Sequence, residues 1–235
     1  MLPIDYQPKN ELQDFDYKAI IHPLAHEHAE IYIFLDCPIT FQNRATVHIF
    51  ENLFLKYGGI LYDRLRDELG LVYGIQSSFE KDLQVCQIYL TCELQYIETI
   101  LDEVWATFSD FDKYFLPNKL VDFKNIISKK TDVSRDSLNA EVNFVSKTLM
   151  TFGKVENYDE YAQKLQLVSQ NDISDFYLVI QKNLPQKKVA IVSKNPKIEQ
   201  ICQKIKSKSE KIKTKLEKTK KPLQKKASKN LKTKI

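Results

Sequence analysis

An α+β fold, with an antiparallel-dominated sheet and helices layered on one face, is predicted by three observations. Short runs rich in β-branched and aromatic residues stand early in the chain, at residues 28–36 and 83–93, and late, at 189–193. Between them lie long segments whose apolar residues recur at three- and four-residue steps, the helical period. Early and late strands with helices massed between them favour segregated layers over alternating βαβ units. With 235 residues and 43% hydrophobic content, the chain is one large domain or two small ones, with material for a substantial core.

Each element has its own signal. Residues 1–20 mix Pro, Asp, Gln and Lys without sustained periodicity and read as an arm or the remnant of an interdomain linker. His28 to Asp36 is a strand ended by Pro38. Phe41 to Tyr57 is a helix that places Ala45, Ile49, Phe50, Leu53, Phe54 and Tyr57 on one face. Gly58 and Gly59 release the chain into a shorter helix, Ile60 to Leu69, whose buried stripe is Leu61, Leu65 and Leu69 and whose terminator is Gly70. Leu71 to Phe79 turns strand-like. Leu83 to Glu93 is a strand with Cys86, Ile88, Leu90 and Cys92 on one face and Val85, Gln87, Tyr89 and Thr91 on the other. A helix from about Tyr96 to Phe111 follows, and three or four more fill 117–183. Their start signals are Ser137, the capping-box-like Asn157 to Glu160, and Asn171. Val189 to Ser193 is the last strand.

The formal charge of +4 conceals two opposite blocks. Residues 197–235 hold 15 Lys against 3 Glu, a local +12, which leaves −8 on residues 1–196. The domain proper is therefore expected over 21–196, with 197–235 as a Lys-rich tail, partly helical or disordered. Ile198, Ile201, Ile205, Ile212 and Leu216 keep a broken apolar stripe that suits a basic amphipathic helix before Pro222. Polylysine attracts polyanions, but without interleaved Arg or aromatic residues it has neither base readout nor stacking, so nucleic-acid contact is a weak reading. A tail lying over the acidic face of its own domain is a further one.

Several classes are disfavoured. No apolar run approaches the roughly 20 residues of a membrane span. The N-terminus lacks the basic and apolar regions of a signal peptide. The four cysteines, at 37, 86, 92 and 202, show no C-x-x-C spacing and are too sparse for a disulfide framework, so a reducing cytoplasm is the simplest compartment. There is no G-x-S-x-G, P-loop or dinucleotide fingerprint.

Four of the five glycines fall between Gly58 and Gly74, in G-G-I-L-Y-D-R-L-R-D-E-L-G-L-V-Y-G. In a chain this poor in glycine, the cluster marks one region of unusual backbone geometry. Arg66 and Tyr73 lie on either side of its tight helix-to-strand joint, where both could face one cleft.

The stretch from Leu65 to Tyr73 resembles the arginine/tyrosine signature in the second half-domain of the pitrilysin/insulinase zinc metallopeptidases, a group that includes mitochondrial processing peptidase. The order of elements from about His22 to Lys194 resembles one such domain. The resemblance implies a single pitrilysin-like domain of the metalloenzyme LuxS/peptidase type, and it implies half of an enzyme. In the family, an earlier domain carries zinc on an H-x-x-E-H helix and a later one contributes the Arg and the Tyr. This chain has no H-x-x-E-H among His22, His26, His28 and His48, which departs from the family pattern at the metal.

The resemblance thus assigns Arg66 and Tyr73 to peptide binding and oxyanion stabilisation, through a fixed fork of donors and a phenolic hydroxyl. It places zinc on a hetero-oligomeric partner subunit bearing H-x-x-E-H, with no cofactor on this chain and no activity expected from it alone. The competing reading is a catalytically inactive scaffold or interaction protein of the same fold. Two other constellations are weaker. His26, His28 and Glu30 would share one side of a strand but lack a closed cage, so they read as surface residues. Asp67 and Glu68 are adjacent on a helix and point apart, so they read as solvated charges.

Overall fold

The computed structural model describes residues 16–24, 26–80, 83–135 and 137–210. Its strands are β1 (Tyr17–Ile21), β2 (Ala29–Asp36), β3 (Gly74–Glu80), β4 (Val85–Cys92) and β5 (Lys188–Ser193), in the sheet order β1-β5-β2-β4-β3. The β2–β4, β2–β5 and β3–β4 pairs are antiparallel, and β1 pairs parallel with β5. The sheet is therefore mixed but antiparallel-dominated. Between β2 and β3 run α1 (Arg44–Phe50), which passes into a π-helical turn over Glu51–Leu55, and α2 (Ile60–Tyr62), which passes into another over Asp63–Glu68. Between β4 and β5 run α3 (Ile97–Ser109), α4 (Phe111–Tyr114), α5 (Pro117–Arg135), α6 (Leu138–Phe152), α7 (Tyr158–Leu167) and α8 (Gln170–Asn183). A last helix, α9, covers residues 197–210.

Alternation decides the layering. On β2, Ala29, Ile31, Ile33 and Leu35 have no exposed surface, while Glu30, Tyr32 and Phe34 point to the other face. On β4 the buried set is Cys86, Ile88, Leu90 and Cys92, as the sequence predicts, and Val85 joins it at the strand's start. Over this inner face α1 and the π-helical turn after it lay Phe50 and Phe54, which meet Phe108 of α3, Phe111 of α4 and Phe176 of α8 with ring centroids 4.6–6.0 Å apart. The Tyr177 hydroxyl donates to the Phe108 carbonyl and ties α8 to α3.

Several elements depart from the sequence reading. β1 begins inside the segment read as an arm and runs across its boundary at residue 20; its five residues are too short to show a period, and its parallel pairing with β5 supplies the order. Tyr57, expected on the buried face of α1, is 82% exposed, because the helix stops at Leu55 and Lys56 turns to extended backbone. Leu69 is 37% exposed while Leu61 and Leu65 are fully buried. The turn between them is π-helical, so a residue four positions on no longer falls on the same stripe. α8 is capped by Ser169, whose hydroxyl accepts from the Asp172 N–H while the Asp172 carboxylate accepts from the Ser169 N–H. Asn171 sits inside its first turn. The caps at Ser137 and Asn157 form as predicted, the second as a full capping box.

A buried ion pair anchors the α6–α7 hairpin. Arg44 on α1 is 5% exposed and Glu156, in the loop after α6, 1%; their side chains pair directly. Arg44 also donates to Thr148 Oγ1 at 3.0 Å, and its guanidinium lies 4.7 Å from the Phe41 ring and 4.9 Å from that of Tyr161. Lys164 Nζ adds a second cation 2.5 Å from Glu156 Oε1.

α9 docks by both of its characters. Ile198, Cys202 and Ile205 are buried in the main core cluster. Lys204 and Lys208 pair with Glu98 and Asp102 on α3, at 2.8 and 2.6 Å. Ile212, Leu216 and Pro222, read from the sequence as the continuation and stop of this helix, lie outside the described residues. Among the described residues no helix is long and apolar enough to cross a membrane.

Glu156→Ala is expected to lower stability by about 3–5 kcal/mol, since it strands a buried guanidinium, with a reduced urea midpoint at unchanged slope. Replacing the pair together, Arg44→Met with Glu156→Leu, is expected to recover most of that loss. Ile198→Ala should cost about 2–5 kcal/mol by the same assay, and a value near zero would mean that α9 is not part of the core.

Candidate functional site

The helix-to-strand joint is built by its glycines. A Cβ on Gly59 would sit 2.7 Å from the Lys56 carbonyl oxygen and 2.8 Å from that of Asn52, so no other residue fits where α1 hands over to α2. At the far end Gly70 takes φ +61°, its N–H donating to the Arg66 carbonyl at 3.2 Å and the Leu71 N–H to that of Leu65 at 2.9 Å. The Tyr73 N–H then bonds the Thr91 carbonyl at 2.8 Å, fastening the joint to β4 one residue before β3 begins. Leu65 and Val72, both buried, hold it to the core.

Arg66 stands on the π-helical turn with its side chain exposed and its guanidinium 5.5 Å from the Tyr62 ring centroid. The neighbouring Arg64 takes the nearby carboxylates instead, Glu68 at 2.8 Å and Glu103 at 3.0 Å. Among the described residues Arg66 has no carboxylate partner, so its fork of donors remains free for a ligand.

Tyr73 is 51% exposed. Its hydroxyl donates to Glu93 Oε1 at 2.9 Å, and Gln95 Nε2 holds the other Glu93 oxygen at 3.0 Å. The His28 ring lies 4.3 Å from the Tyr73 ring, tilted by 42°, and His26 lies 5.5 Å beyond. The Glu93 carboxylate that accepts its proton pushes the Tyr73 phenol above the ordinary tyrosine value. Tyr73, His28, Glu93 and Gln95 thus gather at one end of the sheet, and no described contact joins them to Arg66.

Glu93 and Gln95 were not singled out from the sequence. Glu93, held by Gln95, reaches Tyr73 only because Gly74 pairs with Thr91 across β3 and β4, and that register depends on a turn that no short motif announces. His26 Nε2 stands 3.4 Å from Glu30, but no group of three or more His, Cys, Asp or Glu able to hold a metal ion occurs among the described residues. Asp67 and Glu68 do not converge; Glu68 serves Arg64. Cys86 and Cys92 are buried and unoxidised, and burial pushes the Cys92 thiol up to about 12.

β3 is one of the two outer strands of the sheet and starts directly after Tyr73. Beside it lies a groove of about 450 Å³, lined by Asn52, Lys56, Tyr57, Ile75, Phe123 and Ile126. Its walls are therefore the edge strand, α5, and the π-helical turn after α1 with the residues that follow it.

The model of the family described as the peptidase M16 inactive domain matches residues 4–123. Comparison with curated protein sequences returns no significant match. Among solved structures, the chain is similar to a protease from Helicobacter pylori, with a TM-score of 0.66 and 15% identity over 77% of this chain and 44% of that one. It is similar to a conserved protein from Enterococcus faecalis V583, with a TM-score of 0.65 and 10% identity over 80% of this chain and 44% of the other. It is also similar to a peptidase M16 inactive domain from Pseudomonas fluorescens, with a TM-score of 0.59 and 19% identity over 76% and 43%. At these identities the likeness is one of fold. The chain spans less than half the length of these three structures.

Gly70→Ala should cost about 1–2 kcal/mol, the strain of a left-handed alanine. Gly59→Ala should cost more, because its Cβ meets backbone oxygens that cannot move aside independently. Urea midpoints followed by circular dichroism check both, and equal, negligible losses would mean that the joint is not constrained as described.

Proposed function

The chain belongs to the peptidase M16 inactive-domain family, and from that premise we propose that it is the non-zinc, substrate-binding half of a two-part zinc peptidase. A partner domain bearing H-x-x-E-H would hold the metal and supply the base. This chain would contribute Arg66 to a peptide carbonyl or carboxylate, and Tyr73 to the oxygen on which negative charge develops. The observation that carries the reading is the pairing of two exposed donor side chains with a glycine-built joint. The edge strand β3, which opens beside Tyr73, suits a peptide added as a further strand, with one side chain in the groove against Phe123 and Ile126.

A second reading, a non-catalytic interaction protein of the same fold, is favoured by one observation: the Tyr73 hydroxyl is already engaged by Glu93. Substitution separates the two. Tyr73→Phe is expected to lower turnover by the assembled pair on the order of a hundredfold, as for other oxyanion donors, with the fold and the assembly intact. Unchanged turnover would remove Tyr73 from the chemistry and leave the interaction reading.

A further inference from the structure

Glu93 has no role in the function proposed above, and its position opposes that function. A phenol has one proton to donate. Here it goes to a carboxylate, so the hydroxyl cannot at the same time donate to a peptide oxygen. The negative charge of Glu93 would also repel an oxyanion forming at the same hydroxyl.

The arrangement around it is built rather than incidental. Tyr73 is held at both ends, its amide on Thr91 and its phenol on Glu93, two residues further along the same chain. Gln95 steadies the second carboxylate oxygen, and the His28 ring lies against the phenol ring. The charged and titratable groups that face Tyr73 are Glu93, His28, Tyr96 and Cys92, and of these only Glu93 accepts its proton.

We propose that Glu93 is a positioning residue that holds Tyr73 in a resting arrangement, and that a peptide oxygen bound by Tyr73 displaces its carboxylate. The proposal rests on the reading of Tyr73 as a donor. On ligand binding the hydroxyl exchanges one acceptor for another, and Glu93 turns to water while keeping Gln95. Discrimination follows from this: only a ligand whose oxygen competes with a carboxylate, one carrying developing negative charge or further held by Arg66, frees Tyr73.

The test uses the full chain with ¹³C-labelled tyrosine, the Tyr73 signal being assigned by its loss in Tyr73→Phe. Glu93→Gln and Glu93→Ala are expected to move the titration of Tyr73 to lower pH, toward that of an exposed tyrosine. An unmoved titration in both variants would overturn the tether. A phosphinate tripeptide, whose tetrahedral oxygens stand for the oxyanion, is then titrated against each protein assembled with its zinc-bearing partner. Binding to Glu93→Ala about tenfold tighter than to the natural chain is expected when one charge-assisted hydrogen bond no longer has to be broken. Equal or weaker binding to the variant would overturn displacement. If no protein binds the phosphinate while the titration moves as expected, the tether stands, and displacement fails together with the reading of Tyr73 as a donor.

Discussion

The register of β2 is the constraint on which the rest of the structure depends. It is hydrogen-bonded on both sides, antiparallel to β4 and to β5, and its four inward residues are wholly buried. A slip of one residue would drive Glu30, Tyr32 and Phe34 into the core and expel Ile31, Ile33 and Leu35. Because β4 is read off β2, and β3 off β4, the same register brings Gly74 opposite Thr91 and Glu93 within reach of Tyr73. The surface site therefore inherits its geometry from apolar residues that never touch it.

The layering was legible in the sequence because it is periodic. β2, β4 and α3 show their periods over eight or more residues, and the capping box at Asn157 is a local signal that tertiary packing had no reason to override. What could not be read is what depends on partners distant along the chain. β1 is ordered by β5, more than 160 residues away, and the π-helical turn that turns Leu69 outward is a compromise between the helix and the joint that follows it. For the site, Arg66 and Tyr73 stood out through the glycines around them. Glu93 did not, because its relation to Tyr73 exists only across strands.

Charge segregation along the sequence has a physical counterpart in the fold. The acidic excess before residue 196 and the basic excess after it meet at α3 and α9, where Lys204 and Lys208 face Glu98 and Asp102 across one helix interface. Exposed pairs of this kind contribute little on their own, typically about 0–1 kcal/mol each. Ile198, Cys202 and Ile205 supply the larger part of the attachment and set which face of α9 turns inward. The lysines thus complement a docking that the apolar stripe decides.

Exposure of the candidate site bears directly on the idea of a divided enzyme. A hydrogen-bond donor in bulk water stabilises developing charge weakly, because water offers the same bond and the high dielectric screens the interaction. Arg66 and the half-exposed Tyr73 lie in that weak regime, and the Glu93 contact adds a competing acceptor. Covering the same two side chains with a second protein surface would expel water and strengthen both interactions without moving either residue far. On the proposed reading, then, the donors gain most of their electrostatic strength only on assembly. In such a half the glycine-built joint holds donors whose strength arises only on assembly.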